Sequence, residues 1–172
     1  MADTAIRPAT HHDLPAMLAL YNQAILQTTS SYHYEPRTAG QWSTWYEEKL
    51  AGGWPIFVAD VRLDDGTVHH GGWATFGHFR GPWAGYRFSV EHSVYVSEAV
   101  RRQGIGRRLL LRLLDEARGR GLHTVIAGID SENRASLHLH EQLGFVEVGR
   151  CRQVGYKFDR WLDLLFYQVL LE

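Results

Sequence analysis

Glu91 heads a run, Glu91 to Leu114, whose residue types and spacing suit chemistry beside a bound anion. Val94, Tyr95 and Val96 are β-branched or aromatic and predict a strand, which Ser97 and Glu98 end. A basic turn follows, Arg101-Arg102-Gln103-Gly104-Ile105-Gly106, and leads straight into a helix. In that helix Gly106, Leu109, Leu110, Leu113, Leu114 and Ala117 form one apolar stripe of period 3.6. A strand, a tight turn and a helix starting at once aim several unpaired N–H groups at one point. The helix dipole and four arginines between positions 101 and 108 make that point attractive to an anion. Glycine there lets a phosphate approach the backbone more closely than a Cβ would allow. A Walker loop would need Gly-Lys-Ser/Thr where Arg107-Arg108 follow Gly106, and a dinucleotide fingerprint would need glycine at Leu109, so neither fits.

What remains, Arg101-x-x-Gly104-x-Gly106 after the strand Ser93–Val96, resembles the pyrophosphate loop of the GNAT acetyltransferases, which bind acetyl-coenzyme A. A second motif, Asn133-x-x-Ser136-x-x-x-His140-Glu141-x-x-Gly144-Phe145, begins 27 residues after Gly106 with a predicted strand between. It resembles the family's second cofactor element, whose Asn and Ser contact the pantetheine arm and pyrophosphate. Within the family the likeness is to the phosphinothricin acetyltransferase group. It is carried by Glu91-x-Ser93-Val94-Tyr95-Val96, by His140 where many relatives have tyrosine, and by Gly155-Tyr156-Lys157-Phe158-x-x-Trp161-x-Asp163. The resemblance implies a mixed α/β fold, with a mostly antiparallel twisted sheet of about seven strands and helices on both faces. It also implies acetyl-CoA as cosubstrate, no metal, a homodimer, and a small amino-acid-like amine such as phosphinothricin, methionine sulfoximine or methionine sulfone as acceptor.

Transfer of acetyl from a thioester to an amine needs a neutral nitrogen, and an amine of pKa near 10 is only about one part in a thousand neutral at pH 7. Glu91 is the expected base, acting through a water, and the group's catalytic glutamate falls at this position by resemblance. A thiol of pKa about 8.5 leaves without much protonation, so a strong acid is optional. His140 protonates the sulfur, shares proton removal from the amine, or bonds a loop carbonyl. A backbone N–H near Tyr95 or Val96, where the strand would splay from its neighbour, is expected to polarise the carbonyl. No serine lies in a G-x-S-x-G context, and Cys151 has no local basic activation and is expected to be packed, so transfer is direct. The residues and the resemblance together put catalytic groups at Glu91 and His140. They put cofactor contacts at Val94, Tyr95 and Val96, at Arg101, Arg102, Gln103, Gly104, Ile105, Gly106 and Arg107, and at Asn133 and Ser136. Substrate contacts are expected at Tyr34, Arg80, Tyr86 and Lys157; Arg80, Tyr86 and Arg87 suit a carboxylate or phosphinate clamp. Tyr32 and Glu35, in the same polar loop as Tyr34, line a pocket or pack on a helix.

These residues must be held by elements legible in order. Thr4 to Arg7 predicts a strand, Asp13 the N-cap of a helix to about Gln27, and Thr38 to Leu50 a second helix ended by Gly52-Gly53. Pro55 to Val61 and Thr67 to Gly77 predict a hairpin about Asp64-Asp65-Gly66. Tyr86 to Val96, His123 to Ile129, Val146 to Val148 and Asp159 to Leu171 predict further strands, with a short helix from Arg134 to Leu143. His69 and His70 face opposite sides of a strand and make a poor metal pair. The 172 residues, 45% hydrophobic, suit one domain over the whole length. A net charge of -1 opposes a nucleic-acid partner. No apolar stretch reaches about 18 residues, and the one cysteine fits a reducing compartment, so the chain reads as cytoplasmic and independent of membranes. Two rival readings share the fold: an acetyltransferase acting on a protein N-terminus or lysine, and an acetyl-CoA-binding module without turnover.

Overall fold

The apolar stripe of the central helix becomes its buried side, where Leu109, Leu110, Leu113 and Ala117 are all fully buried. Burial of each leucine contributes roughly 1.5–3 kcal/mol before entropy, enough to fix which way the helix faces. The computed structural model describes residues 3–171. Along it come strand β1 (Asp3–Pro8), helices α1 (Leu14–Gln27) and α2 (Ala39–Ala51), strands β2 (Ile56–Arg62), β3 (Val68–His78) and β4 (Ser89–Val96), and helix α3 (Ile105–Gly119). Strand β5 (Thr124–Asp130), helix α4 (Arg134–Glu141) and strands β6 (Val146–Lys157) and β7 (Arg160–Leu170) complete it.

All seven strands join one sheet in the order β1-β2-β3-β4-β5-β7-β6. Every pair is antiparallel except β4–β5. Alternation along β2 divides the core. Ile56 and Val58 pack with Met17 of α1, Trp42 and Tyr46 of α2 and Trp73 of β3, whereas Phe57, Ala59 and Val61 join the α3 leucines on the opposite face. The sheet is thus mixed, mostly antiparallel and covered by helices on both faces. Among the described residues no helix is long and apolar enough to cross a membrane.

Thr38 caps α2 with a reciprocal bond to Gln41, at the start expected for that helix. Four local expectations change. Asp13 does not cap α1 with its side chain; the carboxylate binds Arg7 and the Thr10 N–H, which hold its pKa down at about 2. Strand β4 starts at Ser89 rather than Tyr86, because Ala84–Tyr86 coil into a 3-10 turn. Strand β6 runs on past Val148 to Lys157, pairing with β7 through two irregularities. Cys151 is exposed rather than packed, since it lies on that outer strand.

Candidate active site

Strands β4 and β5 pair only at Ser89–Thr124, Val90–Val125 and Glu91–Ile126, although both continue beyond. Past Glu91 they diverge, and main-chain groups of β4 are left facing a gap. The Ser97 N–H donates to Gly71 O. Alternation along the β3–β4 ladder therefore turns the N–H groups of Ser93 and Tyr95 towards β3 and those of Val94 and Val96 towards the gap. Of the two donors expected, Tyr95 is taken up by the ladder with Trp73 and Val96 is open, with Val94 beside it.

At the end of β4 the turn reaches α3 through two left-handed residues, Arg102 (φ 62°) and Gly104 (φ 77°). The helix's first backbone bond is Arg108 N–H to Gly104 O, and no side chain caps it. The N–H groups of Ile105, Gly106 and Arg107 thus point out of the helix end without intrahelical acceptors. Ile105 is buried and offers only its main chain, while Gln103 is exposed on the turn. The two glycines do different work. Gly104 supplies the left-handed turn, while a Cβ on Gly106 would lie 3.2 Å from Leu139 Cδ2 and 3.4 Å from Val96 Cγ2. Glycine at 106 therefore lets α3 seat against α4 and β4. Arg101 pairs with Glu98, but Arg102, Arg107 and Arg108 are exposed and have no carboxylate partner among the described residues. This cradle of main-chain donors and free guanidiniums fits a diphosphate.

Glu91, Val94, Tyr95, Asn133, Ser136 and His140 line one cavity of about 340 Å³ at the gap. The Glu91 carboxylate is open to the cavity, yet its walls desolvate it enough to raise its pKa. It leans towards β5, where a Cβ on Gly128 would stand 3.3 Å from Glu91 Oε1. Asn133 caps α4, its side chain accepting from the Ser136 N–H. His140 is buried; its Nδ1 donates to Ser136 O at 2.7 Å and its Nε2 meets His92 Nε2 at 2.9 Å. Both ring nitrogens of His140 are therefore committed. Burial drives both imidazoles towards the neutral form, with the His92 pKa pushed down to about 3.

A larger cavity of about 520 Å³ adjoins the first, sharing Tyr21, His33, Ser93 and Tyr95 with it. Its walls are aromatic: Trp42 stacks on Trp45 at 4.3 Å, and Trp73 lies 4.7 Å from Tyr95. Arg37 and Lys49 supply positive charge.

None of the four expected substrate contacts lines either cavity. Tyr34 donates its hydroxyl to Tyr156 O. Lys157 is buried, with its ammonium donating to Thr28 O and Ser31 O, so it braces the loop between α1 and α2. Arg80 is exposed at φ 56°, and Tyr86 packs its ring near Phe79 and Trp83. Arg87 is exposed over Phe88. Of the loop's other candidates, Tyr32 lines the smaller cavity, with its ring over Gly155, and Glu35 lines neither. The sequence reading missed His92, Arg37, Lys49 and the tryptophans. His92 had a signal, because alternation with Glu91 and Ser93 turns it into the core.

Comparison with known proteins agrees with this geometry. Residues 15–145 match the model of the acetyltransferase (GNAT) family. The L-amino acid N-acyltransferase MnaT of Escherichia coli is 44% identical over 168 residues, 98% of this chain and 94% of that protein. The L-methionine sulfoximine/L-methionine sulfone acetyltransferase of Salmonella typhimurium is 42% identical over 97% of this chain and 94% of that one. The crystal structure of a phosphinothricin acetyltransferase from Sinorhizobium meliloti in complex with acetyl-CoA superposes with a TM-score of 0.89 at 31% identity, covering 98% of this chain and 88% of the other. A splayed β4–β5 pair, an uncapped helix end beside it and matches of this extent converge on one conclusion: the chain belongs to the GNAT acetyltransferase family.

Proposed function

We propose that this chain is an acetyl-CoA-dependent N-acetyltransferase acting on the α-amino group of a small, amino-acid-like acceptor. The observation that carries the reading is the position of Glu91, at the point where β4 and β5 part and on the wall of the smaller cavity, which adjoins the larger through Ser93 and Tyr95. The N–H groups of residues 105–107, with Arg102 and Arg107, hold the diphosphate; Asn133 and Ser136 flank the pantetheine arm in the gap. The Val94 and Val96 N–H groups donate to the thioester carbonyl oxygen and stabilise the charge that grows there. Glu91 takes the proton from the amine through a water, its raised pKa bringing it nearer the task. The nitrogen attacks the carbonyl carbon, the C–S bond breaks, and coenzyme A leaves as its thiolate.

His140 is a positioning residue in this scheme, since its two nitrogens already have partners. The similarity to an L-amino acid N-acyltransferase and to a methionine sulfoximine/methionine sulfone acetyltransferase supports L-amino acids, methionine sulfoximine and methionine sulfone as acceptors. We assign the whole chain to one domain working as a cytoplasmic homodimer. Exposed Val146, Val148, Val154, Phe158 and Trp161 on the β6–β7 hairpin support self-association, and the exposed thiol of Cys151 suits a reducing compartment. Light scattering decides the oligomer, and a monomeric mass at micromolar concentration overturns it. The function is tested by coenzyme A release with methionine sulfone, methionine sulfoximine, phosphinothricin and the common amino acids. Release with none of them overturns it.

A further inference from the structure

We propose that the larger cavity seats the acceptor's carboxylate and side chain, and that Lys49 is the anchor for the carboxylate; this rests on the transfer reaction proposed above. Lys49 reaches from α2 across the sheet to β3. Its Nζ donates to Phe76 O at 3.0 Å, which occupies one of three N–H groups. Where Gly77 lies, a Cβ would stand 2.7 Å from that nitrogen, so glycine makes the room for it. No carboxylate pairs with Lys49 among the described residues, although it is half-buried and lines the cavity. Burial alone pushes its pKa down to about 8. An uncompensated cation of this kind gains from an anionic ligand.

The walls beside Lys49 suit the acceptor's side chain. The indole Nε1–H groups of Trp42 and Trp73 are buried without an acceptor, and both rings line this cavity. The two N–H groups are themselves closed to the cavity, so what these rings offer an acceptor is apolar surface for its side chain.

The spacing to Glu91 suits an α-amino acid. Gly77 pairs with Glu91 across β3–β4, and Gly128, which Glu91 Oε1 approaches, lies on β5 two residues past Glu91's partner Ile126. The three positions share one face of the sheet. Gly77 stands directly opposite Glu91, whose carboxylate leans away towards β5, so Lys49 Nζ and Glu91 Oε1 lie on the order of 10 Å apart. From the amine nitrogen of an α-amino acid to its far carboxylate oxygen is about 3.5 Å. A hydrogen bond at each end brings the span to about 9 Å, and one water at the Glu91 end to about 12 Å. Charge, span and the relayed proton therefore agree. A free carboxylate beside the reacting amine is what the site reads, and peptide N-termini and lysine side chains lack it.

The test compares L-methionine sulfone with its carboxamide, by coenzyme A release, in wild type, Lys49→Gln and Lys49→Arg. Wild type is expected to favour the acid by about ten-fold or more in kcat/KM, mainly through KM. Lys49→Gln keeps a donor for Phe76 O, and should compress the preference to about two-fold or less; Lys49→Arg should restore part of it. Equal use of acid and amide by wild type, or an equal loss on both in Lys49→Gln, overturns the anchor and leaves the transfer reaction standing. Wild type silent towards every amine overturns the reaction and the anchor together. Should Lys49→Gln fail to bind coenzyme A, a sign of misfolding, the wild-type comparison decides alone.

Discussion

His92 Nε2 and His140 Nε2 lie 2.9 Å apart, and that contact fixes the protons of both rings. His140 Nδ1 faces a carbonyl oxygen, so it carries hydrogen and leaves Nε2 bare. His92 must then donate from Nε2, which makes its Nδ1 a buried acceptor with no partner. The pair is stable only while both rings are neutral.

An acid-sensitive fold follows. Both folded-state pKa values lie below the ordinary 6.5, so the unfolded chain gains protons first as pH falls. Stability is full above about pH 6.5 and declines on the acid side, by up to about 1.4 kcal/mol per pH unit for each histidine. Melting temperatures measured from pH 7.5 to 4.5 should fall in wild type and fall less steeply in His92→Phe. Parallel curves for the two proteins would remove the pair as the cause.

Glu91→Gln should lower kcat/KM by about 10² or more with affinity for coenzyme A retained. In wild type the acid limb of the kcat/KM profile should lie above the usual glutamate range, because the cavity raises the pKa of this carboxylate. Turnover unchanged in Glu91→Gln would take this residue out of the mechanism.

Gly104→Ala forces a side chain into a left-handed residue, at a cost of roughly 1 kcal/mol. Misaiming the donors at the start of α3 should raise the Kd for acetyl-CoA about five-fold. Isothermal titration reads this directly, and an unaltered Kd would show that the turn does not shape the cofactor site.

Lys157→Met removes two charge-assisted bonds to the loop between α1 and α2, each worth roughly 1.5–3 kcal/mol. Thermal unfolding should shift down and KM for the acceptor should rise as the loop loosens. The preference for acid over amide should stay, since this ammonium faces carbonyls and not the acceptor. Loss of that preference would return Lys157 to the substrate site.

Legibility followed how local the physics is. The α3 stripe and the glycine turn before α3 depend on neighbours in sequence, and their signals were strong. The β6–β7 hairpin was obscured because its two-residue turn, Phe158-Asp159, takes positive φ at both positions without the Asn-Gly or Asp-Gly signature. Lys49 carried no signal in the sequence, since its surroundings come from β3, far along the chain. Lys157 drew attention through motif likeness, while its burial depends on a loop roughly 130 residues away in sequence.

The parting of β4 from β5 has a consequence for how such an enzyme can change. Contacts made by peptide groups survive almost any replacement of the residues that carry them, whereas the aromatic walls around Lys49 are side chains throughout. A lineage built on this frame can therefore trade one acceptor for another by repainting a single chamber, with delivery of the acyl donor undisturbed.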